Sequence, residues 1–224
     1  MKKMSEWPLW SISQPSNVLL SGPSGCGKTT WVQRLLANPI LANGPHDTVY
    51  YVYGIHNENV HALTNLVPNL VAFEGFPRDL LAQPSAVFSP KKKNLIIFDD
   101  LQQELNDSVD FTNFLTRCGH HLNCSCINLE HHLFQKSSKE KTKQRLSYHI
   151  IVLFRNPMAN EQVGIFARQI GIANTNLVKF AFNDATQNVP HGYLVIDASV
   201  NTPNECRLLT NVFSDECPVI CYAL

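Results

Sequence analysis

The stretch Gly22-Pro23-Ser24-Gly25-Cys26-Gly27-Lys28-Thr29 decides how this chain is read. It fits the pattern Gly-x-x-x-x-Gly-Lys-Ser/Thr, an apolar run (Asn17–Ser21) leads into it, and residues 29–37 behind it read as a helix. Strand, glycine-rich loop and helix in that order are what a phosphate-binding loop requires. The glycines let the backbone curl until successive amide N–H groups face inward at phosphate oxygens, and the new helix adds the positive end of its dipole. On this reading residues 22–29, with Thr30 beside them, cradle a nucleoside triphosphate. Lys28 reaches the β- and γ-phosphates, and the Thr29 hydroxyl holds Mg²⁺.

Length and composition set the frame. A chain of 224 residues with 44% hydrophobic content buries a full core and reads as a lead-in, 1–16, followed by a single domain, 17–224. Eighteen basic residues balance eighteen acidic ones, so a grip on nucleic acid has to come from local patches. The longest apolar runs are strand-sized, which predicts no membrane segment, and Trp7, Pro8 and Trp10 stand where a signal peptide needs an unbroken apolar core. Seven scattered cysteines suit free thiols in a reducing, intracellular setting.

The second informative stretch is Asn94-Leu95-Ile96-Ile97-Phe98-Asp99-Asp100, an apolar run of the kind found in a strand buried on both faces. It ends in acid. A carboxylate at the carboxyl end of a central strand, beside a phosphate-binding loop, sits where Mg²⁺ is held. Asp99 is read as that metal carboxylate, and Asp100 as the group that orients or deprotonates the attacking water.

Other strands are expected at Thr48–Tyr53, ended by Gly54, and at 70–73, 149–154 and 192–197, with 207–213 pairing near the last. Helices are expected at 61–66 (weakly), 160–170 and 174–182. Another is expected at 108–118, where Val109, Phe111, Phe114 and Leu115 form a buried stripe. Residues 75–90 read as loop.

Between residues 120 and 132 lie six His and Cys side chains. Their spacing does not match common zinc ligand pairs, and Cys124 and Cys126 fall on one face of a strand as small apolar fillers. Glu130 and His131, at the exit of that strand, are read as facing the γ-phosphate and sensing it. Residues 135–147 carry Lys136, Lys139, Lys141, Lys143 and Arg145 against Glu140 alone. Three readings stay open for this segment: a solvated loop, a DNA-backbone contact made by the four lysines, or a reach toward a neighbouring subunit's nucleotide.

The order of these pieces resembles the FtsK/HerA-like genome-packaging ATPases of eukaryotic double-stranded DNA viruses and of polinton-like, virus-related transposons. The resemblance is carried by residues 22–29, Phe98-Asp99-Asp100-Leu101, His120-His121 and Leu133-Phe134. It continues through residues 151–157, Ala167-Arg168-Gln169, Asp184-Ala185-Thr186, residues 191–197 and residues 207–213. It implies an α/β fold of the RecA-like P-loop NTPase type, a mostly parallel central sheet flanked by helices on both faces. It also implies ATP and Mg²⁺ as cofactors, a homo-oligomeric ring, double-stranded DNA moved into a capsid, and capsid or portal-like partners in an infected cell, in its nucleus or a cytoplasmic factory, or with the virion. An arginine from the next subunit would complete each site. Arg145, Arg155 and Arg168 are the candidates, and Arg155 is favoured because it leaves a strand near the same sheet edge as the sensor.

Two departures stand out: Asp100 where the family commonly has Glu, and Glu130-His131 where relatives tend to carry Thr-Gln. Competing readings are an AAA+-type helicase loader and a nucleotide-binding interaction module without turnover.

Overall fold

The computed structural model describes residues 10–223 except 57, 134–137, 158–159 and 217. One nine-stranded sheet runs through the described residues. In chain order the strands are β1 (Asn17–Ser21), β2 (Thr48–Tyr53), β3 (Leu70–Glu74), β4 (Asn94–Asp99), β5 (Cys124–Glu130), β6 (Ile150–Phe154), β7 (Tyr193–Asp197), β8 (Leu208–Thr210) and β9 (Ile220–Cys221). Their spatial order is β3-β2-β4-β5-β1-β6-β7-β8-β9. The first six in that order pair in parallel, and β7 to β9 add on antiparallel.

Helices fill the connections: α1 (Lys28–Leu36), α2 (Glu58–Leu66), α3 (Arg78–Ala82), α4 (Gln102–Asn106), α5 (Val109–Asn113), α6 (Gly119–His121), α7 (Lys139–Leu146), α8 (Asn160–Gln169) and α9 (Thr175–Thr186). Parallel strands need such crossovers, and the crossovers cover both faces of the sheet. Strands β1, β4, β5, β6 and β7 are accordingly buried at every position. Alternate residues feed two cores. Leu19, Ile96, Phe98 and Ile151 pack with Phe111, Phe114, Phe166 and Phe182 on one face. Val18, Leu20, Ile97 and Val152 pack with Trp31, Val32 and Leu35 on the other. Each such side chain, fully buried, contributes roughly 1.5–3 kcal/mol of transfer free energy.

The part of the lead-in that is described joins this core. Ile12 is buried, and the Trp10 indole donates to the Asp197 carboxylate at 2.8 Å, pinning the segment across β7. Trp7 lies outside the described residues.

Three local expectations need correction. Val109 is 58% exposed, because it opens α5 on the solvent side, and the buried stripe runs through Phe111, Phe114 and Leu115 without it. Residues 75–90 include α3 and a short 3₁₀ turn at Pro84–Ala86. Most of the basic segment is helix α7 and not a loop. The Ser138 hydroxyl caps it by accepting from the Lys141 amide at 3.1 Å, and α7 buries Lys141, Gln144 and Arg145.

Candidate nucleotide-binding site

Three neighbouring strands, β4, β5 and β1, end together at the carboxyl edge of the sheet, with Asp99 opposite Leu129 and Glu130 opposite Ser21. Over these ends opens a cavity of about 350 Å³, lined by Ser24, Gly25, Gly27, Lys28, Thr29, Thr30, Asn59, Asp99, Asp100, His131 and His191. The open space beyond the carboxyl ends of parallel strands is where this architecture receives ligands.

The loop gets there by left-handed turns. Gly27 has φ 105° and caps α1, and a Cβ there would lie 3.1 Å from the His191 side chain. Only glycine suits both conditions. Lys28 is 7% exposed, and its ammonium donates to the carbonyls of Gly22 at 2.6 Å and Pro23 at 3.1 Å. Burial lowers its pKa, opposed by attraction to Cys26, Asp99 and Asp100. Gly22 and Pro23 thus serve the site through their carbonyls. Cys26, within the loop, is half-buried, its thiol pKa raised by desolvation.

Asp99 is buried at the strand end. Its Oδ2 accepts from the Tyr51 hydroxyl at 2.5 Å, one strand over on β2. Desolvation raises its pKa above the usual carboxylate range, against the pull of Tyr51 and Lys28. A desolvated carboxylate and the Thr29 hydroxyl on one cavity wall are hard oxygen donors beside a phosphate cradle, a set that fits Mg²⁺ with a triphosphate. When bound, the metal would neutralise phosphate charge.

Asp100 turns the chain with φ 59°, and its carbonyl passes so close to Gly54 that a Cβ there would lie 2.3 Å from it. The glycine that ends β2 is therefore what lets Asp100 sit over the cavity. Oδ1 of Asp100 lies 3.1 Å from Nε2 of His131, and Nδ1 of His131 lies 3.5 Å from the Ser24 hydroxyl. His131 thus spans the loop and the acidic strand end.

Glu130 does not share that position. It is buried beneath the site, ion-paired with Lys141 at 2.5 Å, so it faces away from any phosphate. This removes Lys141 from the basic track as well: at 1% exposure its ammonium cannot touch DNA, and a charge so placed is retained only because Glu130 compensates it. Lys139 and Lys143 do face solvent, Lys143 pairing with Glu140 at 2.8 Å. Lys136 and Phe134 lie outside the described residues.

None of the three arginine candidates lines the cavity. Arg145 is buried and donates to the Leu133 carbonyl, which takes it out of reach of a neighbouring subunit. Arg168 is exposed on α8, and Arg155 is exposed just past β6, donating to the Gln187 carbonyl at 2.8 Å. The cluster of His and Cys is divided by β5: His120 and His121 precede the strand, His131 and His132 follow it, and Cys124 and Cys126 are buried within it.

Asn59, His191, Tyr51 and Gln102 belong to the site or its support and were not singled out from the sequence. Tyr51 alternates inward along a β-branched, aromatic strand, and that inward phase beside a strand ending in Asp was its one legible signal.

No protein-family model matches the chain, and no curated protein sequence does. Solved structures do share its shape. The genome packaging NTPase B204 from Sulfolobus turreted icosahedral virus 2, in complex with AMPPCP, superposes with TM-score 0.53 at 16% identity, covering 84% of this chain and 94% of that one. The same NTPase with ATP-gammaS gives TM-score 0.54 at 15% identity over the same shares. The chain shares the fold of these structures, an α/β fold with a mostly parallel central sheet flanked by helices. The flagellar accessory protein FlaH from Methanocaldococcus jannaschii is more distant, with TM-score 0.46 at 15% identity over 63% of this chain and 72% of that one. In this fold the cavity lies at the carboxyl edge of the sheet, where the glycine loop, the strand-end acids and a neighbouring strand exit meet.

Proposed function

We propose that this chain is an ATP-hydrolysing motor subunit that works as a homo-oligomeric ring and drives double-stranded DNA into a viral capsid. One observation carries the reading: Lys28, Thr29, Asp99, Asp100 and His131, from three adjacent strand ends, converge on a single cavity. Phosphoryl transfer asks for positioning and charge neutralisation more than covalent chemistry, and these side chains supply both. The likeness to a genome packaging NTPase over most of both chains supports the cargo.

In this mechanism the loop amides and the Lys28 ammonium hold the β- and γ-phosphates, the ammonium exchanging its contacts with the Gly22 and Pro23 carbonyls for phosphate oxygens. Thr29 and Asp99 would hold Mg²⁺, which would neutralise phosphate charge. The Asp100 carboxylate orients the attacking water and takes its proton, while His131, touching Asp100 and near Ser24, reports on the γ-phosphate. Arg155 of a neighbouring subunit is the candidate finger, a contribution on the order of a thousandfold or more in turnover. Lys139 and Lys143 line the DNA track. Capsid or portal-like proteins are the assembly partners, inside an infected cell.

A nucleotide-binding module without turnover is the second reading, favoured because the Asp100 carboxylate is already engaged by His131. The helicase-loader reading is less supported, since the chain extends the sheet with antiparallel β7 to β9 where that class brings a helical lid.

The test is ATP turnover with and without duplex DNA, run beside Lys28→Ala, with native mass measured in the same buffer. DNA-stimulated hydrolysis by a ring, abolished by Lys28→Ala, is the expected result. Nucleotide binding with no hydrolysis would establish the module, and stimulation by single strands alone would establish the loader.

A further inference from the structure

Helix α7 is strongly polar in sequence, yet one of its lysines is turned fully inward. The Lys141 ammonium meets Oε1 of Glu130 at 2.5 Å, with both side chains 1% exposed. The same Glu130 oxygen accepts from Nδ2 of Asn128 at 2.9 Å, and Asn128 also contacts the Tyr148 hydroxyl at 2.9 Å. The other Glu130 oxygen faces Nε2 of Gln102 at 3.3 Å.

Gln102 is the junction. It lies two residues past Asp100, at the start of α4, and uses both ends of its amide on β5's exit. Oε1 accepts from the His131 amide at 3.0 Å, and Nε2 donates to the His132 carbonyl at 2.9 Å. The backbone from His131 to His132 is therefore stapled at both ends by one side chain, and that side chain rests on Glu130 of a buried ion pair. Ions desolvated this far persist only with close to ideal geometry, so the pair resists displacement and transmits its rigidity to whatever it holds.

We propose that Gln102, Glu130 and Lys141 are positioning residues that fix the His131 imidazole against Asp100. The inference rests on the catalytic reading of that pair given above. None of the three lines the nucleotide cavity. They act through His131 alone, so their effect on turnover vanishes when the imidazole is gone.

Gln102→Ala breaks the staple without leaving a buried ion unpaired. Its kcat falls by about tenfold or more, while KM and the affinity for a non-hydrolysable ATP analogue stay within about threefold of wild type. In a double-mutant cycle, adding Gln102→Ala to His131→Ala changes kcat by less than about twofold. The combined Glu130→Gln/Lys141→Met variant, which removes both charges together, loses turnover to a similar degree while still folding cooperatively. A readout independent of hydrolysis is the ¹⁵N-edited NMR spectrum of the His131 ring, whose signals move in Gln102→Ala.

A Gln102→Ala protein with wild-type kcat, or one whose defect adds in full to that of His131→Ala, overturns the positioning role and leaves the ATPase reading intact. A wild-type protein that binds nucleotide without turnover, but whose His131 signals still move in Gln102→Ala, overturns the ATPase reading and supports the positioning role.

Discussion

The Nε2 atom of His131 lies 3.1 Å from Oδ1 of Asp100, although the two residues stand 31 positions apart and leave different strands. The carboxylate proposed to direct water and the imidazole proposed to sense phosphate are thus one unit: a move of either is felt by the other. Through His131 that contact links Ser24 of the glycine loop to the acidic strand end.

Asp100→Asn keeps the side chain's shape and tolerates the left-handed backbone at φ 59°. It removes the proposed base. The expected outcome is a kcat lowered by about 10²–10⁴-fold with AMPPCP affinity unchanged, read by steady-state hydrolysis and by titration. Equal loss of both would mean that Asp100 binds ligand and does not direct water.

Burial raises the pKa of Asp99, so across the window from the ordinary carboxylate range up to that raised value the folded state holds a proton that the unfolded chain has released. Metal-free protein should therefore lose stability as pH rises through that window, and Asp99→Asn should abolish the loss. Melting temperature against pH for both proteins, without Mg²⁺, checks the sign. Tyr51→Phe removes the hydrogen bond that stabilises the Asp99 anion, and the Mg²⁺ concentration for half-maximal turnover should rise.

Lys139 and Lys143 leave α7 toward solvent and Lys141 does not. The double variant Lys139→Ala/Lys143→Ala should reduce the slope of log affinity for duplex DNA against log salt by about 1–2, at roughly 0.9 per phosphate contact. An unchanged slope would assign both lysines to an ordinary solvated helix face.

Gly54→Ala places a methyl group 2.3 Å from the Asp100 carbonyl. Backbone must move, at a cost of roughly 1–3 kcal/mol, and the strand end it displaces carries both acids. Thermal melting should register that cost, and turnover should fall by more than the lost stability accounts for. A variant that melts lower but turns over normally would show that Asp100 has slack.

Much of the fold was legible because its signals are local. An apolar strand, a glycine loop and a helix announce one another within twenty residues, and strands buried on both faces read as apolar runs whatever surrounds them, as at β4 and β6. The basic segment shows where local reading stops. The lysines at 139, 141 and 143 look alike in sequence, and only one is turned toward Glu130. Glu130 and His131 are adjacent, so one faces the cavity and the other the core; which is which depends on the phase of β5 against β1 and β4.

By itself the sequence determined the phosphate loop, the acids that end β4 and the α/β class, since each follows from backbone freedom and hydrophobic pattern within a short window. Tertiary structure alone decided that Lys141 is a buried counter-ion, that Gln102 grips the exit of β5, and that Asn59 and His191 reach the cavity. Those assignments depend on which side chains meet after the strands are ordered in space, and burial turns a charge from a solvent-facing contact into an internal one only once its partner is there to compensate it.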